Sequence, residues 1–235
     1  MIAVVASLVA RAAGVIRAPK TTLTAVAAQP RWAGILLLTT TIAFLCNAAL
    51  LRTEVGRLAL VDQWERTAIA FGGAVDDAQY ARLAELSEQG PAYAALTALV
   101  SGPVLTLAVA AGLTLLLSLL GHRVPFRQLL ALVAHAGVIL ALRQMVTAPW
   151  NYATETLASP TTLVRVAGAL DEGSPLARFL GVIDLFVIWW IVVLAIGVAV
   201  VAHRPARSLA LTFTGAYVAL AVLMALAMAL SGGTM

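Results

Sequence analysis

The side chains best suited to chemistry in this chain are few, and they stand far apart. Arg143 and Asp184 are ionisable residues inside apolar runs, where an unpaired charge at mid-membrane costs at least about 2.5 kcal/mol. Arg143 falls about four residues before the end of its run and Asp184 about five after the start of the next, so both lie roughly 6 to 8 Å deep. That matched depth permits an ion pair. The pair reads either as a structural pin or as a gate or proton relay on a transport path. A relay needs several titratable groups in series, and the one other group inside a run is His135, about two turns deeper. The pin is therefore the favoured reading, and a polar route through Arg143, Asp184 and His135 is the alternative. His135 itself reads as a hydrogen-bonded core residue, because a metal site needs two or three partners at matched spacing. His122 and His203 fall in turns beside arginines and read as solvated.

Other chemistries find no foothold. Cys46 is the sole cysteine, so neither an intrachain disulfide nor a cysteine metal cluster can form, and it reads as a small buried apolar side chain. The chain contains no histidine-glutamate metalloprotease helix, phosphate-binding glycine loop or serine nucleophile elbow, and Ser101-Gly102 lacks the flanking pattern of an elbow. No catalytic residue, cofactor or metal is expected. The net charge of +4 could suggest a nucleic-acid face, but the basic residues gather beside apolar runs instead, so no nucleic acid is expected as a partner.

The elements that hold these residues follow from hydropathy. Of 235 residues, 62% are apolar and 11% charged, against roughly a quarter charged in a soluble domain. Apolar runs of about twenty residues suit a hydrocarbon core of about 30 Å at 1.5 Å per residue. The expected fold is an all-α integral membrane bundle of five spans, at about residues 33–51, 93–120, 129–147, 179–201 and 209–230. Residues 1–32 read as an amphipathic interfacial segment. On a helical wheel Ile2, Val4, Val5, Leu8, Val9, Val15 and Ile16 share one arc, and Ser7, Arg11, Gly14 and Arg17 fill the other. Pro19 breaks that helix, and a second short one carrying Leu23 and Val26 runs to Pro30, before Arg31 and Trp32 as interface anchors. Residues 52–92 read as an external hairpin of two amphipathic helices, with Asp77 as an N-cap and Gly90-Pro91 as a stop. Gly102-Pro103 is expected to kink the second span. Small residues four apart, Ala108 with Gly112 and Gly137 with Ala141, would allow close helix packing.

Orientation follows from the turns, since arginine and lysine near span ends are kept on the cytoplasmic side. The segment before the first span and the loops at 121–128 and 202–208 together hold eight basic residues and no acid. Residues 52–92 hold four arginines against seven acids, and residues 148–178 two against three. The amino end is therefore expected in the cytoplasm and the tail Ser231 to Met235 outside.

Several local patterns resemble the bacterial branch of the Yip1 family, whose members have five spans. The run Pro19, Leu23, Val26, Pro30 and Trp32 resembles the family's lead into the first span. Gly121 through Phe126-Arg127 resembles its cytoplasmic turn into the third span, and Asp184, Phe186 and Trp189 resemble the acidic start of its fourth. The resemblance implies a non-enzymatic protein. Eukaryotic members assist vesicle traffic and contact small GTPases, and some bacterial members accompany export transporters or envelope-stress systems. The long amino-terminal region of the trafficking members is missing here, so a small-GTPase partner is not expected. The expectation is a bacterial inner-membrane protein whose partners are the lipid bilayer and another membrane protein, or a second copy of itself. It would act as an accessory or membrane-organising subunit, with a small transporter as the alternative.

Overall fold

The computed structural model describes residues 2–168 and 174–232, and every regular element in them is helical. In chain order these are α1 (Ile2–Arg17), α2 (Pro19–Ala28), α3 (Ala33–Leu51), α4 (Glu54–Ala70), α5 (Asp77–Ser87) and α6 (Gly90–Leu99). A π-helical segment, Val100–Val104, joins α6 to α7 (Leu105–Leu119). Then come α8 (Phe126–Ala136), α9 (Val138–Thr154), α10 (Leu163–Ala167), α11 (Pro175–Val182), α12 (Leu185–Ala202) and α13 (Ala206–Gly232). Five stretches are long and apolar enough to cross a bilayer: Ala33–Leu51, Gly90–Leu119, Phe126–Thr154, Leu185–Ala202 and Ala206–Ala227. Asp171 and Glu172, two of the acids weighed for orientation, and the last three residues of the tail lie outside the described residues, as do the side chains of Ile2, Val4 and Val5 on the expected apolar arc.

The chain divides into two compact units. The first comprises Met1–Ala43, Thr97–Arg143 and Phe186–Gly215, and α8 is its centre. Every residue from Leu129 to Ala136 is buried, as a helix apolar on all sides requires. Around it pack Ala110, Leu113 and Leu117 of α7 and Val193, Leu194 and Val198 of α12. The amino-terminal pair joins the same core, for Val15, Leu23, Val26 and Ala27 are buried in it. Val15, Leu23 and Val26, expected to face lipid, are thus covered by protein, whereas Val9 and Ile16 are exposed. Gln128 completes the seam: its Nε2 donates to the Ala27 carbonyl at 2.8 Å, satisfying one of the acceptors that the end of α2 leaves open. Pro19 opens α2 as its first residue, a position where the missing N–H costs nothing.

The bend expected at Gly102-Pro103 takes a specific form. Proline at 103 cannot donate, and its ring crowds the preceding turn of an α-helix. The chain relieves this by inserting an extra residue, so that the Leu105 N–H reaches back to the Val100 carbonyl. Gly102 brings the segment against α3, where a methyl group on its Cα would collide with the Thr40 hydroxyl. The turn after α7 closes on Gly121, whose φ is +81°. His122 N–H donates to Leu117 O at 2.8 Å and Gly121 N–H to Ser118 O at 3.0 Å, the paired bonds of a left-handed glycine cap. Ala108 and Gly112 do not serve as a packing seam within the chain: both are exposed, with open space at Gly112.

The second unit comprises Phe44–Leu96, Gln144–Leu185 and Ala216–Met235. Here α4 and α5 form the helical hairpin expected of residues 52–92, and α4 is docked. Leu60 is buried with Ala48, Leu51 and Ala94, and Trp64 meets Tyr93 edge to face at 5.4 Å and 86°, an arrangement the aromatic quadrupole favours. The N-cap of α5 is Asp76 rather than Asp77. Its Oδ1 accepts from Gln79 N–H at 2.7 Å while Gln79 Oε1 accepts from Asp76 N–H, a reciprocal box that Asp77 cannot form. Gly90-Pro91 lies where expected, after α5 has ended, and opens α6. The third span runs on to Thr154, and the fourth starts later than expected, its long helix beginning at Leu185 after the separate short α11.

Candidate functional site

That interruption puts Asp184 in a different setting from the one its position in an apolar run implies. It stands in the break between α11 and α12 instead of inside a helix. The backbone there pairs with the loop before α10: Leu163 N–H donates to Ile183 O at 2.8 Å and Leu185 N–H to Thr161 O at 3.0 Å, forming an isolated bridge between Thr162 and Asp184. The break exposes backbone groups that a helix would have paired, and in an apolar setting each must find a partner. The bridge supplies several and a tyrosine supplies more. Tyr217 of α13 donates its hydroxyl proton to Val182 O at 2.7 Å and accepts from Asp184 N–H at 3.1 Å.

The Asp184 carboxylate is 4% exposed. Its Oδ2 accepts from the hydroxyls of Ser159 and Thr161, each at 2.8 Å. Hydroxyl donors to a carboxylate form strong, charge-assisted bonds, so the loop is drawn onto the break. The buried Asn151, with its amide nitrogen turned toward the Thr147 and Ala158 carbonyls at 3.2 Å, holds the residue before Ser159. The cluster thus knots a loop, a helix break and the last apolar helix together. Sequence reading had singled out Asp184 but none of these partners. The hydroxyl-rich run Ser159-Pro160-Thr161-Thr162 and a lone tyrosine in the last apolar run were the available signals.

The other singled-out residues stand on separate elements. Arg143 is half-buried on α9, and its ion pair with Asp184 stays an expectation from depth. His135 is fully buried near the end of α8. Its Nδ1 lies 2.8 Å from Ala131 O, so the proton sits on Nδ1, and Nε2 has no hydrogen-bond partner. Arg31 is exposed and Trp32 half-buried at the start of α3, with Trp32 O accepting from Leu36 N–H at 3.0 Å. Ser101 spends its hydroxyl on Thr97 O at 2.7 Å. Cys46 is half-buried rather than buried. Among the described residues no three His, Cys, Asp or Glu side chains converge as a metal site would need.

Five apolar helices and a polar cluster spent on backbone and hydroxyls define a polytopic helical membrane protein. The family model of the Yip1 domain matches residues 13–229, from within α1 to the last turns of α13, and the chain belongs to the Yip1 family. No curated protein and no solved structure matches it significantly.

Proposed function

We propose that this protein is a non-enzymatic member of the Yip1 family that acts as an interaction or membrane-organising subunit, packing laterally against another integral membrane protein such as an export transporter. The observation that carries this reading is how little of the last apolar helix its own chain covers: 11% of the Ala206–Ala227 window is buried. Leu211, Leu220, Leu223 and Leu226 stand exposed along it. In lipid, helices associate through packing and shape rather than through the hydrophobic effect, and an uncovered helix is free to do so. The charge asymmetry of the turns supports a cytoplasmic amino end in a bacterial inner membrane. Affinity purification of the tagged protein in mild detergent should recover a membrane protein in stoichiometric amount; recovery of the chain alone would overturn the reading.

One observation favours a second reading, a small transporter: the buried Nε2 of His135 has no partner, and intramembrane ionisable groups often mark conduction routes. Replacing an unsatisfied buried polar group by an apolar one of similar shape is near neutral or stabilising. For an accessory subunit His135→Leu should therefore leave stability intact. For a transporter it should abolish flux in reconstituted vesicles loaded with a pH-sensitive dye, and wild-type vesicles that match empty ones exclude that reading.

A further inference from the structure

The second compact unit contains a cavity of about 540 Å³, within the range of small-molecule sites. Three arginines from three separate segments line it: Arg66 of α4, Arg165 of α10 and Arg178 of α11. These residues are far apart in sequence, so their convergence is a product of the fold. The lining includes no aspartate or glutamate among the described residues. The Asp184 carboxylate lies behind Ser159 of the lining and accepts from the hydroxyls of Ser159 and Thr161. Arg66 and Arg165 are exposed, with their guanidinium groups available to a ligand, and Arg178 is half-buried in the wall.

Exposed like charges beside one hollow repel each other, and an anion bound between Arg66 and Arg165 relieves that repulsion. Guanidinium is the side chain best shaped for the purpose, because its planar fork binds phosphate or carboxylate oxygens in pairs. The wall is also built to keep its shape. The Thr162 to Asp184 bridge fixes one side, and the Ser174 hydroxyl, accepting from Ala177 N–H at 3.1 Å, fixes the start of α11. Ala158, Val164 and Ala177 are also in the lining, so an occupant would meet apolar surface as well as charge. We infer that this cavity is a binding site for a phosphate-bearing anion of headgroup size, held by Arg66 and Arg165. The ligand's phosphate belongs either to a lipid headgroup or to a water-soluble metabolite, and the chemistry of recognition is the same for both. The inference is independent of whether the protein has a membrane partner.

The test uses the full chain in nanodiscs. In phosphatidylcholine discs, inorganic pyrophosphate is titrated by calorimetry. In a parallel arm, the melting temperature is compared between phosphatidylcholine discs and discs containing phosphatidylglycerol. Saturable pyrophosphate binding that Arg66→Gln or Arg165→Gln weakens by about tenfold or more, as loss of one charge-assisted contact predicts, supports the site with a soluble ligand. A rise in melting temperature in phosphatidylglycerol that the same variants abolish supports it with a lipid headgroup. Arg207→Gln, in the other compact unit, is the control and should change neither. Arg165→Lys keeps the charge without the fork and should fall between wild type and Arg165→Gln. Melting in phosphatidylcholine discs verifies that each variant folds. Absence of a saturable response in both arms, or a response that Arg207→Gln weakens as much as Arg165→Gln, overturns the proposal.

Discussion

At the scale of single residues, the Asp184 carboxylate and the Tyr217 hydroxyl each make two hydrogen bonds at the break between α11 and α12. Tyr217 serves two backbone groups of a broken helix at once. Tyr217→Phe leaves Val182 O and Asp184 N–H without that partner, and an unsatisfied buried group costs about 1–3 kcal/mol. The expected outcome is a lower unfolding midpoint in detergent with the helical circular dichroism retained. Asp184→Asn keeps the shape and removes the charge, so the hydroxyls of Ser159 and Thr161 donate to a neutral oxygen. About half the strength of each bond is then lost, and the same unfolding measurement should show a smaller decrease than Tyr217→Phe. Equal stability of both variants with wild type would mean that the knot contributes nothing.

At the scale of elements, the contact of Gly102 with Thr40 can be tested in isolation. Gly102→Ala forces a methyl group against the Thr40 hydroxyl and should destabilise by about 1–3 kcal/mol, as overpacking does. Thr40→Ala removes the obstacle as well as a hydroxyl that has no partner, so the double variant should regain most of the loss. Additive losses in the double-mutant cycle would show that the two do not touch. The five apolar helices and the helical hairpin were legible in the sequence because their signals, run length and helical spacing, are local. The docking of α4 through Trp64 and Tyr93 was not, since nothing in 41 residues between apolar runs tells which side chains will meet others distant in sequence. The break at Asp184 was hidden for a related reason. An unbroken hydropathic run reads as one helix, and only the loop that pairs with it, some twenty residues earlier, reveals otherwise. The choice of Asp76 over Asp77 as N-cap is carried by one local signal, the glutamine three positions on at 79.

At the scale of the whole molecule, orientation is the property most open to a single decisive measurement. With Cys46→Ala as background, a cysteine introduced at Pro125 should resist a membrane-impermeant maleimide added to intact cells, and one at Gln79 should react. The reverse pattern would invert the assignment of the turns. Length and phase are separate variables in such a chain, and the extra residue between Val100 and Val104 acts on the second. Ala98 and Thr106 are both buried although eight positions apart, which on an unbroken α-helix would set them about 80° out of line. The wider turn absorbs one position and returns them to the same azimuth. Deleting Ser101 would remove the inserted residue and let the turn close to regular α geometry, leaving Ala98 and Thr106 seven positions apart and within about 20° of one line. A cysteine-accessibility scan of that variant should show the same side chains protected on both sides of the deletion, and a protected face rotated past it would mean that the turn does not absorb a residue.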